Sequence, residues 1–369
     1  MSEATFLEQR YRRVLRLLPA AYRRAWEHDM VTALLDTRGV DGSGSDDDAL
    51  AGLGTPGLGE VVSVVWLAVR ARVGVFGATP RQELWGGAVR RVALVGLLLN
   101  AAFVLANVVI DVLVMGMPPF GLAFITSGMP GQQPEQILRI GAVLWPAAFA
   151  ALLIGRRAGA GVLALAALTV ETIRVVVFLR DFGEQAPFSV TVLVGQAVPV
   201  LALIAFHERA PRLRVRPWLT ALVAATTVVV IVYAPFSLSW SDGEASAQPR
   251  WFLLMVPDRV GLCVLAVSVA AAIHLGGRRR GHRFGEPGWT LALALLAAVV
   301  TGQRVLTLLG YMQVSENPAV RDLALASLVQ ALLATAAFVV LGVLARSDLP
   351  ASASVSPAQW PRTRRPTPQ

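Results

Sequence analysis

The stretch "RVALVGLLLNAAFVLANVVIDVLVM", residues 91–115, holds one charge at its first position and one more at Asp111. A helix needs about 20 apolar residues to cross the hydrocarbon core of a bilayer. This run is long enough, and it has the Val/Leu/Ala composition such a helix needs. From here to about residue 346 the chain repeats the pattern. Eight spans are expected, over 91–115, 136–154, 159–180, 188–207, 217–236, 252–275, 289–311 and 322–345.

Composition agrees. Of 369 residues, 55% are hydrophobic and 15% charged, against about 45–50% and 25% in soluble domains. The net charge is +9, and all 33 basic residues are arginine. These arginines fall between the apolar runs, which fits the positive-inside rule better than nucleic-acid binding. Direct nucleic-acid binding is therefore not expected. Basic flanks at Arg156/Arg157, at Arg209/Arg212/Arg214/Arg216 and at Arg278/Arg279/Arg280/Arg283 should be cytoplasmic. The loops carrying Asp181, Glu184, Asp242, Glu244, Glu316 and Asp322 should lie outside. Eight spans then place both termini in the cytoplasm of a multi-pass inner-membrane protein, with the bilayer itself as one partner. The first 35 residues are charged and carry no apolar h-region, so no signal peptide is expected there.

The apolar part reads as two parallel four-helix halves. Residues 163–179, "LALAALTVETIRVVVFL", align with 293–309, "LALLAAVVTGQRVLTLL", at eight of 17 positions, pairing Arg174 with Arg304. Arg139-x-Gly141 and Arg259-x-Gly261 are each followed by a Gly-Arg-Arg turn, and Gln196 has a counterpart in Gln330. Repeats of this kind occur in transporters, but duplication alone does not imply transport.

Upstream of the spans the pattern is different. "FLEQRYRRVLRLL" (6–18) and "AAYRRAWEHDMVTALLD" (20–36) have helical spacing, the second with Tyr22, Trp26, Met30, Ala33 and Leu34 on one stripe. A Gly/Ser/Asp loop follows, then "GLGTPG" at 52–57. As Gly-x-Gly-x-x-Gly it resembles a dinucleotide loop, which needs a buried strand before it and amides free to meet phosphate. Here "SDDDALA" precedes it and Pro56 lacks an N–H. The six residues are instead a helix start, with Thr55 as N-cap, Pro56 in the first turn and Glu60 near the positive helix end. The expected fold is all-α. Residues 1–75 form a small cytoplasmic three-helix domain and 76–90 a linker. Residues 91–210 hold spans one to four and 211–346 spans five to eight, and 347–369 form a disordered cytoplasmic tail.

"LLPAAYRRAWEHDMVTALLD", the acidic loop and "LAGLGTPGLGEVVSVV" together resemble the HAAS family, helical domains that precede membrane segments and are associated with PadR-like regulators. The opening also resembles those of actinobacterial multi-pass membrane proteins. The likeness covers about residues 5–70. The arginine-rich first helix departs from the more acidic family pattern. What the resemblance implies is a cytoplasmic signalling module that meets a protein partner of PadR type, with Tyr22, Trp26 and His28 as contact residues.

Charged residues inside spans are costly and are candidate functional groups by default. Asp111, Glu171, Arg174, Asp258, Arg259 and Arg304 lie within the expected spans, and Arg139 lies near a mouth. The expected topology puts all seven, with Asn107, in the outer half of the bilayer. Glu171 and Arg174 share a helix face at i, i+3. Adjacent Asp258 and Arg259 point about 100° apart, toward different helices. The cluster is open to three readings: a salt-bridge network that holds helices together, a site for a small and anionic ligand, or a proton relay. No histidine or cysteine spacing suits a metal, no cofactor motif is present, and no nucleophile elbow or phosphate loop supports catalysis. The first reading is a non-enzymatic signalling protein. The second is a permease-like protein that binds a solute in an outer polar cavity.

Overall fold

A computed structural model describes residues 3–37, 57–72, 80–114, 116, 141–181, 186–206, 213–241, 258–279, 287–313 and 318–349. Every regular element among them is helical. The described residues divide into two compact units, with the boundary at Gly86/Gly87.

The first unit contains α1 (Glu3–Leu15), α2 (Ala20–Thr37) and α3 (Leu58–Arg72). Its core is Tyr11, Leu15, Leu18, Val31, Val64 and Ala68, with Val14, Tyr22, Met30 and Leu67 packed around it. The stripe expected on α2 is therefore split. Tyr22 and Met30 face the core with Val31, whereas Trp26 faces outward and is 40% exposed. The start of α3 also moves. The helix begins at Leu58, and the Gly57 N–H donates to Glu60 Oε2 at 2.9 Å. Gly57 thus holds the cap position, and Glu60 closes half of a capping box. Thr55 and Pro56, expected in those roles, lie outside the described residues.

The second unit is built from α4 (Pro80–Val109, continued by a π-helical turn at Ile110–Val114), α5 (Leu144–Leu153, after a 3₁₀ turn at Gly141–Val143) and α6 (Arg157–Asp181). Next come α7 (Ala186–Ala202, with a 3₁₀ turn at Leu203–Ala205), α8 (Val215–Ser241), α9 (Arg259–Arg279), α10 (Pro287–Gln313) and α11 (Pro318–Asp348). Most of the expected linker is helical, because α4 starts at Pro80. The expected tail begins inside α11, and its residues from 350 onward lie outside the described residues.

Six of these helices, α4, α6, α8, α9, α10 and α11, are long and apolar enough to cross a membrane. Their outer faces carry exposed aliphatic side chains such as Val223, Ile231, Val329 and Val343. Lipid tails solvate such faces, and water does not. The two other expected spans hold shorter apolar helices, Gly141–Leu153 and Val190–Ala202.

α6 packs against α5 and α7, and α10 packs against α9 and α11. The offset that aligns Arg174 with Arg304 also aligns Phe103 with Tyr233, and these rings meet edge to face with centroids 6.4 Å apart. Small residues bring helices close. A Cβ on Gly96 of α4 would stand 2.6 Å from Pro199 of α7, and one on Gly195 of α7 would collide with Gln303 of α10.

Candidate functional site

The two ends of the second unit differ in chemistry. At one end, Arg91 of α4 lies over the Trp289 ring of α10, 5.1 Å from its centroid. His274 of α9 bonds Thr290 of α10 at 2.8 Å. Arg278 of α9 and Asp348 of α11 form a two-point ion pair, one bond being 2.6 Å. At the other end lie the ionisable residues singled out in the spans.

There, a cavity of about 290 Å³ is lined by Asn107 and Asp111 of α4, Trp145 of α5, Glu171 and Arg174 of α6, Gln196 of α7 and Arg259 of α9, among others. Each polar group arrives by a local device. Asp111 sits in the π-helical turn that ends α4, a distortion often found at functional sites. Glu171 and Arg174 bond each other one turn apart, with side-chain exposures of 11% and 38%. Arg259 is fixed at the first residue of α9 by Asp258, whose Oδ1 accepts the Gly261 N–H at 2.7 Å. That cap closes the start of α9 at Arg259, and residues 252–257 of the expected span lie outside the described residues. Asp258 and Arg259 lie at a helix start instead of within one.

The neighbours Asp258 and Arg259 do reach different helices. Asp258 Oδ2 accepts from Arg304 Nη1 of α10 at 2.6 Å. Arg259 donates to Asn100 Oδ1 of α4 and lies over the Phe103 ring, 4.5 Å from its centroid. Arg304 is fully buried, and its Nε and Nη2 have no hydrogen-bond partner among the described residues. Of the seven cluster residues, Asp111, Glu171, Arg174 and Arg259 line one cavity, and Asp258 and Arg304 pair beside it. Arg139 lies outside the described residues. Its repeat counterpart Arg259 is therefore the only member of that matched pair the structure describes.

Two residues that spacing did not single out hold the site together, Asn100 and Phe103. Asn100 is one of two asparagines in the apolar run 91–115, but its partner lies on α9, far along the chain. These two residues and Arg259 also line a second, mainly apolar cavity of about 60 Å³ between α4, α7, α9 and α10. A third cavity, about 420 Å³, lies by Leu152–Gly155, Arg157, Phe206 and Leu213 and gathers no set of charged groups. Pocket chemistry, not size, points to the first of these cavities.

Among the described residues no cluster of His, Cys, Asp and Glu could hold a metal ion. In the first unit, Trp26 and His28 are exposed and Tyr22 is partly buried. α3 adds an exposed apolar face at Val62, Val65 and Trp66, which the sequence pattern left unnoticed. Burial pushes the Tyr11 hydroxyl above its ordinary pKa, and the Glu60 carboxylate pushes it further. No protein-family model matches the chain, and neither do any curated proteins or solved structures.

Proposed function

We propose that this chain is a non-enzymatic, multi-pass membrane protein of the signalling class. Its membrane unit receives a small polar solute, and its N-terminal three-helix unit meets a protein partner. The observation that supports this is the 290 Å³ cavity, where Asp111, Glu171, Arg174 and Arg259 converge at the end away from the basic flanks. A pure salt-bridge network would close its charges on one another. Asp258 and Arg304 do so, and Arg174 bonds Glu171, but Arg259 meets only the Asn100 amide and the Phe103 ring among the described residues.

Basic residues at 156, 157, 214, 216, 278 and 279 gather at the helix ends opposite the cavity. By the positive-inside rule that end is cytoplasmic, both termini with it, and the cavity opens to the outside. Contact geometry favours eight crossings. Late residues of α6 share the cavity with the last turn of α4 and with Trp145 of α5, which supports a reading in which α5 returns the chain across the bundle.

The partner surface we assign to the first unit is Trp26 and His28 of α2, with Val62, Val65 and Trp66 of α3. The HAAS-like sequence makes a regulator of PadR type the first candidate. Affinity capture from native membranes with the full-length chain tests this. A cytoplasmic protein should be enriched by wild type and lost with Trp26→Ala plus Trp66→Ala. Equal recovery by both would rule out that surface. A permease-like role is the second reading, and one observation favours it: the two cavities meet at Asn100, Phe103 and Arg259.

A further inference from the structure

Three arginines of the cluster fall among the described residues, and two of them answer a carboxylate. Arg174 bonds Glu171, and Arg304 bonds Asp258. Arg259 does not. Its partners are the neutral amide oxygen of Asn100 and the face of Phe103. Its chain neighbour Asp258 cannot serve it, because Oδ2 is taken by Arg304 and Oδ1 by the Gly261 N–H.

A guanidinium within a membrane is expensive unless a counter-charge meets it. A ring face offsets only part of that cost. A carboxylate offers more, because its two oxygens match the planar fork of N–H donors. Arg259 also stands where two spaces join. On one side is the polar cavity, and on the other the small apolar one, walled by Val92, Leu99, Val192 and Leu296.

We infer that Arg259 is the anion-receiving residue of the cavity, and that its ligand is a monocarboxylate with a short apolar tail. The carboxylate takes the fork of Arg259 in place of the Asn100 oxygen. The tail enters the apolar space, whose 60 Å³ is about the share of two waters and suits a few carbons. The charge of the lining selects a monoanion over a phosphate dianion. Asp111 and Glu171 line the same cavity with Arg174 and Arg259, so the lining has no net charge with which to hold a dianion, and Arg259 is the guanidinium to which neither carboxylate is bonded. This inference rests on the solute-binding reading above and adds the chemical class.

The test is calorimetric titration of the full-length protein in phosphatidylcholine nanodiscs. The probes are sodium butyrate, 1-butanol, butylammonium and methylphosphonate, with oleate supplied in the bilayer. Butyrate should bind at least tenfold more tightly than the other three soluble probes. Arg259→Gln should lower butyrate affinity at least tenfold, and Asn100→Ala, which frees the fork, should raise it severalfold. Arg321→Gln, an exposed arginine on α11, should change nothing. If Arg259→Gln does not fold, Arg259→Lys keeps the charge and loses the fork, and a loss of at least fivefold is expected. Equal binding of 1-butanol, or undiminished binding to the Arg259 variants, overturns the proposal. Preference for methylphosphonate overturns the monocarboxylate, and preference for oleate overturns the short tail. If butylammonium binds instead and Glu171→Gln abolishes it, the carboxylate class fails while solute binding stands. If no probe binds wild type, both fail.

Discussion

Asp258 holds two structures at once. One oxygen caps α9 and the other meets the buried guanidinium of Arg304. Removing its charge leaves Arg304 enclosed without a counter-ion, and breaking a buried pair from one side costs about 3–5 kcal/mol. Asp258 is 25% exposed at the side chain, so the low end applies. Asp258→Asn should therefore unfold at clearly lower temperature in detergent than wild type. Arg304→Met, which removes the stranded charge and keeps the volume, should unfold nearer to wild type. A reversed order would show that Asp258 acts only as a cap. At this scale the sequence was informative where partners are near in the chain. Glu171 and Arg174 were legible as a pair because i, i+3 spacing fixes them on one helix face. Asp258 and Arg259 were legible as diverging, but not their partners Arg304 and Asn100, because helix packing alone decides who stands opposite. Asn100 gave no signal of its own in the apolar run, and only its bond from Arg259 of α9 gives it a role.

Helix boundaries depend on such local contacts. α3 starts where Gly57 can donate to Glu60, and α9 starts where Asp258 can accept from Gly261. Neither start follows from apolar periodicity, because periodicity reports a face and a cap reports an end. Glu60 also joins α3 to α1, since its charge acts on the Tyr11 hydroxyl. Folding raises the Tyr11 pKa, so the unfolded chain gives up this proton first. Stability from the neutral hydroxyl is fully present below the unfolded value of about 10 and is lost as pH rises through the folded one. Tyr22, also raised by burial, adds to the same alkaline loss. Glu60→Gln keeps an acceptor for the Gly57 cap but removes the charge. It should bring the Tyr11 titration part of the way down, since burial is the larger cause, and lower stability at neutral pH only by the loss of one favourable charge at a helix start, about 0.3–1 kcal/mol. The ultraviolet titration of wild type minus that of Tyr11→Phe isolates this group. An unchanged Tyr11 curve in Glu60→Gln would show that the Glu60 charge does not act on the Tyr11 hydroxyl.

For the whole molecule, the division into a small helical unit and a long apolar unit was legible from the change of pattern near residue 89. Even so, α4 begins before the apolar run and carries the boundary inside a helix. Hydropathy locates the runs, but it does not say whether a short one crosses. α5 spans ten residues as an α-helix, and α7 seventeen with Pro199 inside, about 15 and 25 Å at 1.5 Å per residue, against a core of about 30 Å. If neither crossed, six helices would remain, and the termini would still share a side because six and eight are both even. The termini therefore cannot decide the topology, whereas Gly116 and Gly155 can. Gly116 follows α4, and Gly155 lies in the turn between α5 and α6, beside Arg156 and Arg157. If α5 returns the chain, the two glycines lie on opposite faces. If it does not, they lie on the same face, and Arg156 and Arg157 face outward against the charge rule. Reporter domains fused after Gly116 and after Gly155 should thus be active outside and inside, respectively. The cavity depends on that outcome. α6 reaches Asp111 with Glu171 and Arg174 only if it starts from the end where α4 starts, so fusions reporting one side would separate the charges that this site brings together.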